Sequence, residues 1–268
     1  MREGIDGSRN QGEFLVTHHR RRPTPRRIAL AGSMIALLWA SLAAIPVSAA
    51  GSTTYRDCSK ITVAAGADLH RCDLSDSTII GMDLHGINVA WSDLSRVNGG
   101  CDPDLPRTNL TGAVAYRALF VQAKLCDAIL VDADLHGSDL SGAALEDASL
   151  DRANLSWTVL TGAGAAFAPF DDANLSNAVW RDGAANGASF DGGDLHRIDL
   201  RGTDLRSASF VGTDLRYARL NGVDLSNADL SGANWRSATG LSSATFSNTT
   251  CPDGTNSDTN AGKTCVGH

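Results

Sequence analysis

From Leu105 to Trp235 a bulky residue stands at almost every fifth position, running through Leu110, Phe120, Leu125, Leu130, Leu135, Leu140, Leu145, Leu150, Leu155 and Leu160. The same phase continues through Phe170, Leu175, Trp180, Phe190, Leu195, Leu200, Leu205, Phe210, Leu215, Leu220, Leu225 and Leu230, with Ala115, Ala165 and Ala185 as the small members. Two residues before the bulky one the side chain is usually small, as at Ala128, Ala133, Ala143, Ala153, Ala173, Ala208 and Ala228, so the unit reads A-(D/N)-L-x-x. An α-helix advances about 100° per residue, and a period of five wanders around its axis. In a flat strand, residues five apart fall on opposite faces. The pattern therefore predicts a chain that turns a corner in every repeat, with the bulky and the small residue facing one common axis. Gly and polar residues fill the corner, as at Gly112, Gly137, Gly142, Gly162, Gly192, Gly202, Gly212, Gly222 and Gly232.

Segments such as D-A-D-L-H-G-S-D-L-S-G-A-A-L (132–145) and G-T-D-L-R-Y-A-R-L-N-G-V-D-L-S-N-A-D-L-S-G-A-N-W (212–235) resemble the pentapeptide-repeat family. The resemblance covers about two-thirds of the chain. It implies an all-β fold, a right-handed quadrilateral β-helix solenoid with four repeats per coil, here about 8–9 coils. Phe170, Phe190 and Phe210, spaced by 20, support that coil length independently, because they would stack in one column with neighbouring coils about 4.8 Å apart.

The rest of the chain divides around this block. Residues 1–27 carry seven Arg against three acids, 28–45 are apolar, and Pro46 and small residues follow up to Ala50. That order is a signal peptide, 1–50, cleaved near Ala49 or Ala50; an N-terminal membrane anchor through 28–45 is the alternative, since the run approaches spanning length. Residues 51–66, with Tyr55, Ile61 and Val63, read as an N-terminal cap over the open end of the solenoid. The repeat domain is expected over 67–238. Its first block (Leu69, Leu74, Ile79, Leu84, Val89, Leu94) is one residue out of phase with the main one, and the loop or bulge near 95–108 should absorb the slip. A single-residue bulge at Gly99-Gly100 would place Leu69, Val89 and Leu110 in one column. Residues 239–268 form a polar, disulfide-closed tail.

Charge and cysteine content sharpen the picture. Removing 1–50 takes away seven basic and three acidic residues, so a net charge of −7 becomes −11. An acidic surface disfavours nucleic acid as a partner, and contact with a membrane would run only through the uncleaved N-terminal segment. All six Cys follow the presumed cleavage site, which points to disulfides in an oxidising compartment, secreted or at the cell surface. Sequential pairing is expected: Cys58–Cys72, Cys101–Cys126 and Cys251–Cys265. Two bridges would close the ends of the rod and one would span the phase slip. No C-x-x-C suggests zinc.

Candidate chemistry is sparse. A coil filled by Leu and Phe leaves no catalytic cleft, so no catalytic or cofactor-binding residue is assigned and no enzyme activity is expected. His70, His85, His136 and His196 each follow a Leu at the outward position and read as surface groups. Asp134, Asn154, Asn174, Asp194, Asp214 and Asn234 read as a ladder bonding nearby backbone at the corners. One outward column, Asp151, Asp171 and Asp191, brings carboxylates to coil spacing, where each neighbouring pair repels by about 1 kcal/mol. A weak Ca²⁺ site on these three is the sharper reading of that column; splaying into water is the plainer one. The expected function is an exported, non-enzymatic rod that serves as an interaction or structural element for an unknown protein or cell-envelope partner. The alternative comes from the resemblance, which includes acidic members that mimic duplex DNA and bind topoisomerase.

Overall fold

The computed structural model describes Tyr55, Cys58 and residues 63–102, 104–260 and 264–267. The proposed signal segment and most of the cap lie outside them. Among the described residues no helix is long and apolar enough to cross a membrane.

Nearly every repeat contributes one residue to a parallel bridge with the next coil, and the bridges stack in columns, one of them interrupted between Ser149 and Pro169. One column runs Asp68, Asn88, Val114, Asp134, Asn154, Asn174, Asp194, Asp214 and Asn234. The chain is a repeat β-solenoid in which each bridging position is a single residue flanked by two inward ones. Ala133 and Leu135, on either side of Asp134, are both buried. The inward residues form one continuous apolar core from Leu69 to Phe246. Phe170, Phe190 and Phe210 stack nearly parallel along it, with centroids 5.1 and 4.9 Å apart, and Trp180 meets Phe170 and Phe190 edge-on.

The repeat code follows from where the backbone N–H groups go, since a buried unpaired one is costly. In the repeat around Leu135, Asp134 N–H bonds to Ala113 in the preceding coil, while Leu135 and Gly137 donate to Asn154 and Ser156 in the next. Ser138 closes the corner onto Leu135 O at 3.0 Å. The turn puts a positive φ on its third residue, 66° at Gly137, as a type II turn requires. The one donor left, His136 N–H, is accepted by the Asp134 carboxylate at 3.2 Å. That side-chain cap recurs from His70 onto Asp68 to Arg236 onto Asn234, and it explains the D/N of the unit.

Two expectations are corrected. The phase slip is a loop, not a one-residue bulge: across it the bridge offset rises from 20 to 26 residues, as in Asp83 with Asn109. Leu110 therefore stacks over Leu84, and Val89 lies under Ala115. Leu105, in phase by sequence, is 38% exposed in the loop. Thr108 pins the loop with a hydroxyl whose one proton lies between Ile79 O (2.8 Å) and Gly99 O (2.9 Å), and a disulfide joins Cys101 to Cys126 across it. At the other end the coil runs past Trp235, with Thr245 and Thr250 bridging Asp224 and Asp229. Phe246 packs edge-on against Trp235, and a short 3-10 turn at Leu241–Ser243 adjusts the phase. Disulfides join Cys58 to Cys72 and Cys251 to Cys265 at the two ends, with Cα separations of 5.8 and 5.2 Å.

Candidate functional site

The column Asp151, Asp171 and Asp191 is a substitute for the corner cap. In these repeats the Asp/Asn position holds Ser149, Pro169, Ser189 and Ser209, so the local carboxylate is missing. The acceptor comes instead from the coil below. Asp151 accepts Asp171 N–H at 3.1 Å, Asp171 accepts Asp191 N–H at 3.1 Å, and Asp191 accepts Val211 N–H at 2.8 Å. Hydroxyls complete the set, from Ser149 to Asp151, Ser189 to Asp171 and Ser209 to Asp191. These donors offset the repulsion that suggested a cation. Among the described residues no three His, Cys, Asp or Glu side chains gather closely enough to hold a metal ion.

The outward histidines are scattered. His70 Nδ1 lies 2.7 Å from Asp68 and His85 Nδ1 2.9 Å from Asp83. His136 Nδ1 lies 2.7 Å from Ser156 Oγ, and buried His196 Nδ1 has no partner among the described residues. A second cluster forms around Asp199, which is only 4% exposed. Burial opposes its ionisation, and hydrogen bonds from Arg201 and Arg181 overcome that, holding its carboxyl well below the usual range. Arg219 approaches it at 3.5 Å. All of these arginines are bound to the carboxylate, so the cluster fastens neighbouring coils together.

One corner of the stack carries a different set, which the sequence reading missed. The bridge column through Asn88, Val114, Asp134 and Asn154 places Trp91, Tyr116, Arg117, His136, Gly137 and Trp157 on successive coils of that corner. Trp91 meets Tyr116 edge-on at 5.6 Å, and Tyr116 stacks parallel on His136 at 5.3 Å. The Arg117 guanidinium sits 5.0 Å from the Trp91 centroid and 5.3 Å from that of Tyr116. Above them Gly137 leaves an open depression of about 500 Å³, walled by Arg117, His136 and Trp157. Further along the same corner His196 and Arg197 pack against Tyr217. Trp91 and Arg117 are 26 residues apart, a spacing outside the period of five. Only the loop at 99–108 brings them together, so the pattern alone carried no signal of the pair.

A β-solenoid with a filled core and outward chemistry confined to its corners is a scaffold with surface sites. The family model described as pentapeptide repeats matches in eight copies, over 128–163, 138–177, 168–206, 186–222 and 208–250. Across these residues the chain belongs to the pentapeptide-repeat family. Among solved structures it is similar to HetL, a pentapeptide repeat protein involved in heterocyst differentiation regulation from the cyanobacterium Nostoc sp. strain PCC 7120. That match has 26% identity over 72% of this chain and 92% of that one, with a TM-score of 0.40. It is also similar to QnrB1, a plasmid-mediated fluoroquinolone resistance protein, with 17% identity, 66% and 90% coverage and a TM-score of 0.38. A thylakoid-lumen pentapeptide repeat protein of Arabidopsis thaliana matches at 24% identity, 57% and 72% coverage and a TM-score of 0.28. No curated protein matches the sequence.

Proposed function

We propose that this chain is an exported, non-enzymatic rod that presents binding surfaces at the cell surface or outside the cell. The rod in this reading is right-handed and four-sided, with four five-residue steps in each 20-residue offset and eight to nine coils in all. The observation that carries the proposal is the placement of its disulfides. Each lies at an end of the coil stack or across the loop, where the repeat lacks its own neighbours, and three such bridges persist only in an oxidising compartment. The core supports the non-enzymatic part, since side chains fill it and polar groups near it are engaged with backbone.

The alternative, an acidic mimic of duplex DNA, is supported by the family resemblance and by net charge. Asp76, Asp132, Asp204 and Asp214 pair with Arg96, Arg152, Arg206 and Arg216. Asp151, Asp171 and Asp191 are turned to backbone donors. A phosphate-like run of unpaired charge needs neither arrangement.

Expression of the full chain with a C-terminal tag, followed by cell fractionation and mass spectrometry, tests the proposal. Export predicts a product beginning near Gly51, outside the cytoplasm, with no free thiol. An intact N-terminus and six reduced thiols in the cytoplasm would overturn it.

A further inference from the structure

The corner depression at Gly137 combines features that structural upkeep does not require. Trp157 and Trp91 occupy the left-handed turn position, at φ 62° and 60°, where a bulky residue is strained. Glycine stands there in many repeats and would relieve that strain. Yet Trp157 is 61% exposed, so little burial offsets the cost. Phe167 and Tyr217 hold the same conformation on exposed rings, so what sets Trp157 apart is its place on the wall of the depression beside Arg117 and His136. Arg117, like Arg71, Arg197 and Arg236, stands outside the ion pairs of the corners. Arg96, Arg152, Arg206 and Arg216 each pair with an aspartate, whereas Arg117 forms no ion pair with a carboxylate among the described residues. Its guanidinium is fixed instead by the two ring faces of Trp91 and Tyr116, which leaves its edge donors free for a carboxylate in the fork geometry. His136 is oriented by Ser156 at Nδ1 and by stacking on Tyr116, and its Nε2 has no hydrogen-bond partner among the described residues. Gly137 keeps the floor open: a Cβ there would press on Arg117 Cγ at 3.3 Å.

We propose that this depression binds a carboxylated sugar, a uronic acid residue, with the sugar ring against Trp157, its carboxylate on Arg117 and a hydroxyl on His136 Nε2. The chemistry selects the class. An indole face open to water suits the C–H face of a sugar, which remains hydrated elsewhere, whereas a wholly apolar ligand needs an enclosing pocket. An unpaired arginine on an acidic rod supplies the complementary charge for one carboxylate. Asp134, on the same turn, is already bonded to His136 N–H and Asn154 Nδ2 and does not compete for Arg117. The inference gives a partner class to the interaction reading above. Its test is binding in vitro, which stands or fails independently of where the chain is located.

The full chain with its disulfides intact is titrated by calorimetry with trigalacturonate, maltotriose, galacturonate and a hexaglutamate peptide. Trigalacturonate should bind saturably, with maltotriose, which lacks the carboxylate for Arg117, and hexaglutamate, which lacks the sugar face for Trp157, each at least about tenfold weaker, the size of one lost charge-assisted or ring contact. Trp157→Asn, which suits the left-handed turn, and Arg117→Gln should each weaken binding about tenfold or more, with thermal midpoints unchanged as the check on folding. Equal affinity for galacturonate and trigalacturonate assigns the site to a free sugar acid, and a gain with length assigns it to a polymer; either supports the proposal. No saturable heat with trigalacturonate, equal binding of maltotriose, or full affinity in both variants would overturn it. Hexaglutamate binding as tightly as trigalacturonate would also overturn it, in favour of an acidic protein segment.

Discussion

Each carboxylate in a corner column has a donor to satisfy, and the account stands or falls on that at single positions. Asp171 accepts Asp191 N–H and the Ser189 hydroxyl, so Asp171→Ala strands both and should cost about 1–3 kcal/mol in a denaturant melt. Millimolar Ca²⁺ should shift neither the parent nor the variant, because the three carboxylates are already engaged. A loss below about 0.5 kcal/mol, the level of an ordinary surface substitution, would remove the capping role. Asp199 makes a pH-dependent contribution. Its folded pKa lies below the ordinary 3.8, so the stability it adds is present above that value and is lost as pH falls through the folded pKa. The thermal midpoint should therefore drop on acidification below about pH 4, and Asp199→Asn should lower it at pH 7 while flattening that drop. An unchanged acid dependence in the variant would assign the drop to other carboxylates.

Within a coil, volume is shared between sides. Trp180 and Phe190 flank Ala185, and Gly183 stands where most repeats have Ala because a Cβ there would lie 2.4 Å from Trp180 Nε1. Trp180 Nε1 in turn donates to Ala163 O at 3.2 Å. Ala185→Leu should overpack this coil and cost about 1–3 kcal/mol, whereas Leu140→Ala opens a cavity among leucines and should cost about 2–5 kcal/mol. Thermal melts of the two variants check both, and a neutral Ala185→Leu would refute the shared volume. The inward positions were legible from sequence because burial repeats strictly with the period. The aromatic column at Phe170, Phe190 and Phe210 followed directly. The loop was not legible, because Gly99 occupies a slot normally held by a bulky residue and Leu105 mimics one. Counting by side-chain size therefore misplaces the register there by a whole repeat. The Asp151 column was visible as a pattern, but its role depends on three-dimensional neighbours, the missing caps at Ser149, Pro169, Ser189 and Ser209.

Across the whole rod, stability is a sum of coil-to-coil contacts, and the end coils have a neighbour on one side only. The terminal disulfides each close a 14-residue separation, worth about 3 kcal/mol in the chain-entropy model. Reduction should therefore raise hydrogen exchange first near Leu69 and Phe246 while the Phe190 region stays protected, and uniform loss of protection would contradict this. The corner depression belongs to this scale too, since Trp91 reaches Tyr116 and Arg117 only through the 26-residue offset at the loop. That register is the central claim, and paired cysteine substitutions measure it directly. Neighbouring coils about 4.8 Å apart bring bridge partners within disulfide reach. Oxidation followed by peptide mapping should show Asp93→Cys joined to Leu119→Cys in high yield and unjoined to Val114→Cys. The opposite result, a bridge to position 114 and none to 119, would restore the one-residue bulge and separate Trp91 from Arg117.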